Sequence, residues 1–318
     1  MPPLEPTPAL LAHPFQRYFL ALRPQFLMVT LMAGLIGLAT AAASGVALMP
    51  VKAFVSVFFA LVAHGGVNVL NDYYDEMNGT DPINTERVFP FTGGSRFIQN
   101  GVLTTRATLA YGVVLMGLVI AAGLWLVVES QPGLLAIGAA GMLIGWAYSA
   151  PPLKLNSRGL GELCVAAGFL LITIGVDFVQ RGTLAPLPVR AAIPYALLVT
   201  AILYINQFPD YRADKAAGKD HWVVRLGPVQ ARWGYLLIIA LAYALLILQV
   251  ALGELPSWCL LALATLPLSA AATRTLLQEA LHPQRLAAPI KLTIAAANLH
   301  GLLIAAGLLA TVFARGQG

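Results

Sequence analysis

Residues Ala53-Phe-Val-Ser-Val-Phe-Phe-Ala-Leu-Val-Ala-His64-Gly-Gly-Val-Asn68-Val-Leu-Asn71 are nineteen uncharged positions that run directly into Asp72-Tyr-Tyr-Asp75-Glu76. At about 1.5 Å per residue, nineteen helical residues reach roughly 28 Å, close to the ~30 Å hydrocarbon core of a bilayer. Lipid offers no partner to free backbone groups, so an apolar run of this length is read as a helix rather than an open strand. The crowd of carboxylates marks where that helix leaves the lipid.

The same reading extends outward along the chain. Uncharged runs long enough to span recur at 25–49, 107–128, 130–153, 191–209, 233–253, 255–273 and 292–314, and 163–180 is broken only by Asp177. With 58% hydrophobic and 10% charged residues, the 318-residue chain lies far from the roughly 25% charged content of soluble domains. The expected architecture is an all-α integral membrane protein of about nine transmembrane helices. No long linker separates the runs, so residues 1–318 are expected to form a single polytopic domain. Residues 1–18 carry five prolines, Pro2, Pro3, Pro6, Pro8 and Pro14. They lack the basic start and short apolar core of a signal peptide and are expected to be a cytosolic lead-in. The two cysteines, Cys164 and Cys259, both fall inside predicted helices, so neither a disulfide framework nor a thiolate metal site is implied.

Charge sets an orientation. With nine helices, fifteen basic residues fall on the N-terminal side of the membrane, including Arg17, Arg23, Arg87, Lys154, Arg158, Arg212, Lys215 and Lys219. Only Lys52, Arg181, Arg190 and Arg315 fall on the other. By the positive-inside rule the N-terminus and the basic loops are cytoplasmic and the C-terminus is outside, in a cell (inner) membrane. An even helix count would destroy this partition. The net charge of +5 is thus explained by topology anchors, and no basic run with interleaved aromatics suggests nucleic acid.

Eight of the fourteen acidic residues sit in two short segments: Asp72, Asp75, Glu76, Asp81 and Glu86, then Asp210, Asp214 and Asp220. The segments resemble each other, Asn68-Val-Leu-Asn-Asp72-Tyr against Asn206-Gln-Phe-Pro-Asp210-Tyr, each followed by a further carboxylate. This pattern suggests an internal duplication with two half-sites facing one cavity. At helical spacing Asn68 and Asp72 share one face, as do Asn206, Asp210 and Asp214. All-oxygen donors of this kind suit a hard cation, and magnesium is typically held by one or two carboxylates together with substrate phosphates. A single cluster could simply decorate a solvated loop; a matched pair at equivalent helix ends argues for a site. His64, one turn below Asn68, either contacts a ligand or bonds a neighbouring helix. Asp177, four residues before Arg181, reads as an ordinary i,i+4 pair, and Asn298 and His300 read as packing groups.

The ordered set of motifs resembles the UbiA superfamily of intramembrane aromatic prenyltransferases over almost the whole chain. It comprises Asn68-x-x-x-Asp72-x-x-Asp75, Gly79-Thr80-Asp81, Thr92-Gly93-Gly94-Ser95, Tyr148-Ser-Ala-Pro-Pro-Leu-Lys154, Gly159-Leu-Gly-Glu162, the Asn206-to-Lys219 segment and Val224-Arg-Leu-Gly227. The Gly-Thr-Asp and Thr-Gly-Gly-Ser stretches are most similar to the 1,4-dihydroxy-2-naphthoate polyprenyltransferase (MenA) branch of menaquinone synthesis. The chain departs from that branch at Gln207-Phe-Pro, where Asn-Leu-Arg is common, and at Asp220-His-Trp, where Arg-Thr-Leu is common. The resemblance implies nine helices around a central cavity open laterally to lipid, and magnesium-dependent transfer of a polyprenyl group from its diphosphate to an aromatic acceptor. It implies metal binding by Asn68, Asp72, Asp75, Asp210 and Asp214, with Glu76 an alternative to Asp75. Asp72, Asp210, Lys154 and Tyr148 are the implied catalytic residues. Arg23, Arg87, Lys154, Tyr148 and Lys219 are implied for the diphosphate, Asp81 is a further candidate for the site, and His64 and Asn206 are implied for the acceptor pocket.

Three other readings compete. The acceptor could be 4-hydroxybenzoate or a homogentisate-type ring. An ion-coupled transporter also uses repeated halves and intramembrane carboxylates, but its sites lie near the midplane beside broken helices. A CDP-alcohol phosphotransferase would group its aspartates in one segment, whereas here they are divided between two.

Overall fold

The computed structural model describes residues 4–316, with side chains described to residue 314; Pro2 and Pro3 and the side chain of Arg315 lie outside the described residues. A short helix α1 (Pro14–Ala21) leads into α2 (Pro24–Ala43), α3 (Pro50–Met77) and a single turn α4 (Thr80–Ile83). After an irregular segment come α5 (Thr105–Glu129), α6 (Leu134–Ser149), α7 (Gly161–Arg181), α8 (Pro186–Ala216) and the short α9 (Trp222–Leu226). The chain closes with α10 (Pro228–Ala251), α11 (Leu266–Glu279) and α12 (Ala287–Gly316), and no strand occurs among the described residues.

Among the described residues eight helical stretches are long and apolar enough to cross a membrane, one of them α11 extended at its start by the 3-10 turns Ser257–Thr265, and α6 is a shorter apolar helix of 16 residues. Together they account for the nine expected spans, in a multi-pass membrane fold. Proline stands at the first turn of α2, α3, α8 and α10, where its missing N–H costs nothing and its fixed φ favours the helix. Thr104 caps α5 by accepting from the Ala107 N–H, and Gly182 ends α7 in the left-handed conformation.

Helix α8 is the axis of the bundle. It packs on α2, α7, α10 and α12, and its Tyr195, Leu198, Ile205 and Phe208 are almost wholly enclosed. Close approach in the membrane depends on small residues. At Gly37 of α2 a Cβ would stand 2.6 Å from the Thr173 carbonyl of α7, so the contact admits only glycine. Polar groups inside the bundle are paired as expected: Asp177 accepts from the Arg181 guanidinium at 2.7 and 2.8 Å and from Thr40 at 2.9 Å. His300 meets Thr265 at 3.2 Å and Asn298 bonds its own helix.

On the other side of α8, helices α2, α3, α5, α6, α7 and α8 surround a cavity of about 630 Å³. Along α7 its wall runs from Cys164 to Val179, fifteen residue steps or about 22 Å of helix. Aliphatic and phenyl side chains line most of it; Arg23, His64, Asn68, Asn71, Tyr148 and Asn206 gather at one end.

Candidate active site

The two acidic segments meet just beyond the polar end of the cavity. Asp72 and Asp75 close α3, Asp210 and Asp214 close α8, and all but Asp210 are buried. Lys219, in the turn after α8, brings them together: its Nζ stands 3.0 Å from Asp75 Oδ1 and 3.1 Å from Asp214 Oδ1. Burial alone would lower the pKa of this ammonium, but Asp214 and Asp75 more than reverse the effect and hold it charged. Arg23 forms an ion pair with Asp72. It lies in the break between α1 and α2 rather than within the first long helix, with φ of 57°. Burial opposes its charge and Asp72, Asp81 and Asp75 restore it. Lys154 also has a left-handed backbone, at φ 43°; it is half-buried and its ammonium has no ion-pair partner among the described residues. Such strained basic positions persist only where the surrounding fold enforces them.

The segment between α4 and α5 lies over the carboxylates and ties them together. Asn84 donates to Asp210 Oδ1 at 2.6 Å, the Gly93 N–H donates to Asp210 Oδ2 at 3.2 Å, and the Ser95 N–H donates to Asp72 Oδ1 at 3.3 Å. Gly94, at φ 73°, sits so close to the Asp81 carboxylate that any Cβ would overlap it. Asp81 Oδ2 is buried without a hydrogen-bond partner. Burial first, and then the neighbouring Asp75 and Asp72, push the Asp81 carboxyl well above the usual range.

This electrostatic imbalance tests the fit of a metal. Among the described residues five carboxylates, Asp72, Asp75, Asp81, Asp210 and Asp214, have only Arg23 and Lys219 as ion-paired strong cations, and His221 adds a contact to Asp214 at 3.0 Å. Among the described residues no three carboxylate, histidine or cysteine groups converge closely enough to hold an ion unaided. The arrangement therefore fits a hard divalent cation whose remaining ligands are phosphate oxygens and water.

Most of the residues singled out from the sequence come together here. Asn68 lines the cavity and donates to the Leu22 carbonyl at 3.0 Å. Tyr148 and Asn206 line the same end. His64 bonds Thr30 of the neighbouring helix α2 at 2.7 Å, and its side chain also lines the cavity. Asp75 faces the cluster through Lys219, whereas Glu76 accepts from Gln99 at 2.8 Å. Arg87 does not join the carboxylates. Its guanidinium is held by Glu5 of the lead-in, with Nε at 2.8 Å and the terminal nitrogen at 2.6 Å, because the lead-in folds back over the segment after α4. Asn84, His221 and the backbone of Gly93 and Ser95 were missed. The Thr-Gly-Gly-Ser motif was the available signal for the last two.

The UbiA prenyltransferase family model matches residues 27–297. The chain is 29% identical over 302 residues to the 1,4-dihydroxy-2-naphthoate octaprenyltransferase of Escherichia coli (strain K12), covering 92% of this chain and 95% of that protein. It is 26% identical over 261 residues to the enzyme of the same name from Bacillus subtilis (strain 168), covering 81% of each. Its fold resembles a UbiA homolog from Archaeoglobus fulgidus bound to DMAPP and Mg2+, with a TM-score of 0.66 and 16% identity over 93% of this chain and 99% of that one. It also resembles the apo UbiA homolog from Aeropyrum pernix K1, with a TM-score of 0.65 and 18% identity over 89% and 97%. A family match across most of the sequence, on a fold that joins two aspartate motifs above an apolar cavity, makes this chain a prenyltransferase of the UbiA family.

Proposed function

We propose that the chain transfers a polyprenyl group from polyprenyl diphosphate to 1,4-dihydroxy-2-naphthoate, with Mg2+, in menaquinone synthesis. One observation carries the reading: Lys219 bridges carboxylates of both motifs at the polar mouth of a long apolar cavity. A diphosphate–isoprenoid has this same polarity, anionic at one end and hydrocarbon along the rest. The names of the Escherichia coli and Bacillus subtilis relatives support the naphthoate, and the Archaeoglobus fulgidus structure supports a magnesium–diphosphate pair.

Breaking the allylic carbon–oxygen bond leaves charge on the diphosphate. Asp72 and Asp75 on α3 and Asp210 and Asp214 on α8, with Asn68 a turn deeper, would hold Mg2+, which neutralises that leaving group. Arg23, Lys154 and Lys219 add cationic hydrogen bonds to the same oxygens. Tyr148 borders the polar end where the allylic carbon would lie, beside His64 and Asn206, our candidates for the acceptor pocket. The apolar wall keeps water from the carbocation so that the electron-rich ring captures it. The N-terminus and the active-site loops face the cytoplasm in this reading.

The test is transfer of radiolabelled prenyl groups by the purified protein in lipid, with magnesium present or chelated and each aromatic acid offered separately. Product from the naphthoate alone, lost on chelation and in Asp72→Ala and Asp210→Ala, is expected. Product from 4-hydroxybenzoate instead would replace the acceptor, and undiminished activity in both variants would remove the metal assignment.

A further inference from the structure

Beside the carboxylates lie two polar residues, Glu162 and Gln207, that the mechanism above does not use. Glu162 stands in the first turn of α7 and Gln207 on α8, one turn beyond the cavity-lining Leu203. Gln207 Nε2 donates to Glu162 Oε1 at 2.8 Å. Because an ionised carboxylate only accepts, this bond fixes which way the Gln207 amide points. Three oxygens then remain buried with no partner: Glu162 Oε2, Gln207 Oε1 and Asn206 Oδ1. All three are acceptors. Asn206 lines the polar end of the cavity with Tyr148, and Glu162 and Gln207 stand just behind that wall, each within about a turn of helix of a lining residue, Cys164 on α7 and Leu203 on α8.

Buried acceptors without donors are costly, and a ligand that brings O–H groups to them recovers that cost. A carboxylate brought to the same place would meet Glu162 and be repelled. We propose that Glu162, oriented by Gln207 and joined by Asn206, binds the hydroxyl edge of a hydroxyarene acceptor, accepting the phenolic O–H. The inference rests on the prenyl-transfer reading for its occupant. A phenol hydrogen-bonded to a carboxylate also gains phenolate character, which enriches the ring carbons that would capture the allylic cation.

The experiment is equilibrium dialysis of the purified full-length protein, without donor and under reducing conditions, against 1,4-dihydroxynaphthalene and 1,4-dimethoxynaphthalene. The second compound has the same ring and oxygens but donates nothing. The dihydroxy compound should bind about tenfold tighter or more. The difference should collapse in Glu162→Gln, which replaces the free acceptor oxygen with a donor of equal size. Equal binding of the two compounds to the unmodified protein overturns the proposal even if the variant fails to fold; an unchanged preference in the folded variant overturns it as well. Acceptor KM in the transfer assay separates the two readings. Glu162-dependent binding with no product from any donor leaves this site standing and removes the transfer reading, whereas normal transfer with unchanged acceptor KM in Glu162→Gln does the reverse.

Discussion

Lys219 is the residue on which the charge balance of the site turns. Its ammonium touches one carboxylate from each acidic motif, and it is the short path between α3 and α8. Lys219→Met should lower kcat by about a hundredfold, the scale of losing one preorganised charge-stabilising donor. Turnover measured at saturating donor and magnesium checks this, and near-normal kcat would reduce Lys219 to a structural tie. Gly94→Ala places a side chain at φ 73° against Asp81, which should cost about 1–3 kcal/mol of stability together with activity. At the far end of the cavity, Asp177→Ala leaves the Arg181 guanidinium without its carboxylate. Thermal unfolding should show a loss of about 3 kcal/mol or more, while turnover per folded molecule stays normal. The acidic motifs and the Asp177–Arg181 pair were legible because helical spacing alone puts their members on one face. Asn84 and His221 were not, since each meets its aspartate through the path of an aperiodic segment. The Glu5 partner of Arg87 was hidden for the same reason: it lies 82 positions away, on a lead-in with no pattern to place it.

At the level of elements, the segment between α4 and α5 acts as a cover whose backbone N–H groups reach both aspartate motifs. The lead-in holds that cover down, with Glu5 on Arg87 and with Asn100 donating to the Pro6 carbonyl at 2.9 Å. Glu5→Gln should loosen the cover, seen as faster limited proteolysis between residues 84 and 104 and a severalfold rise in donor KM, with kcat little altered. Unchanged proteolysis would show that the cover is held by its own contacts with Asp72 and Asp210. Hydropathy located every span, but the boundaries moved for identifiable reasons. Runs were cut at charges, yet α3 and α8 continue through Asp75 and Asp214 because those carboxylates are buried and paired with Lys219 rather than solvated in a loop. The run at 130–153 shrinks to α6, bounded by Pro132-Gly133 and Pro151-Pro152. The run at 255–273 begins as a 3-10 helix, Ser257–Thr265, because Pro267 cannot donate the helical bond back toward Leu263.

For the whole molecule, the fold puts the acidic motifs and the basic loops at one end of the bundle and leaves only a few basic residues at the other. By the positive-inside rule that asymmetry predicts a site facing the cytoplasm, as in the function we propose. Cysteine labelling tests it cleanly, because the native Cys164 and Cys259 are both buried and contribute little background. Lys215→Cys lies on an exposed position at the end of α8, on the site side, and Gln131→Cys on an exposed position between α5 and α6, at the opposite end. A membrane-impermeant maleimide applied to intact cells should modify Gln131→Cys at once and Lys215→Cys only after permeabilisation. The reverse pattern would turn the molecule over. It would require the diphosphate to reach the site from outside, and it would leave the fifteen-to-four distribution of basic residues without a physical cause.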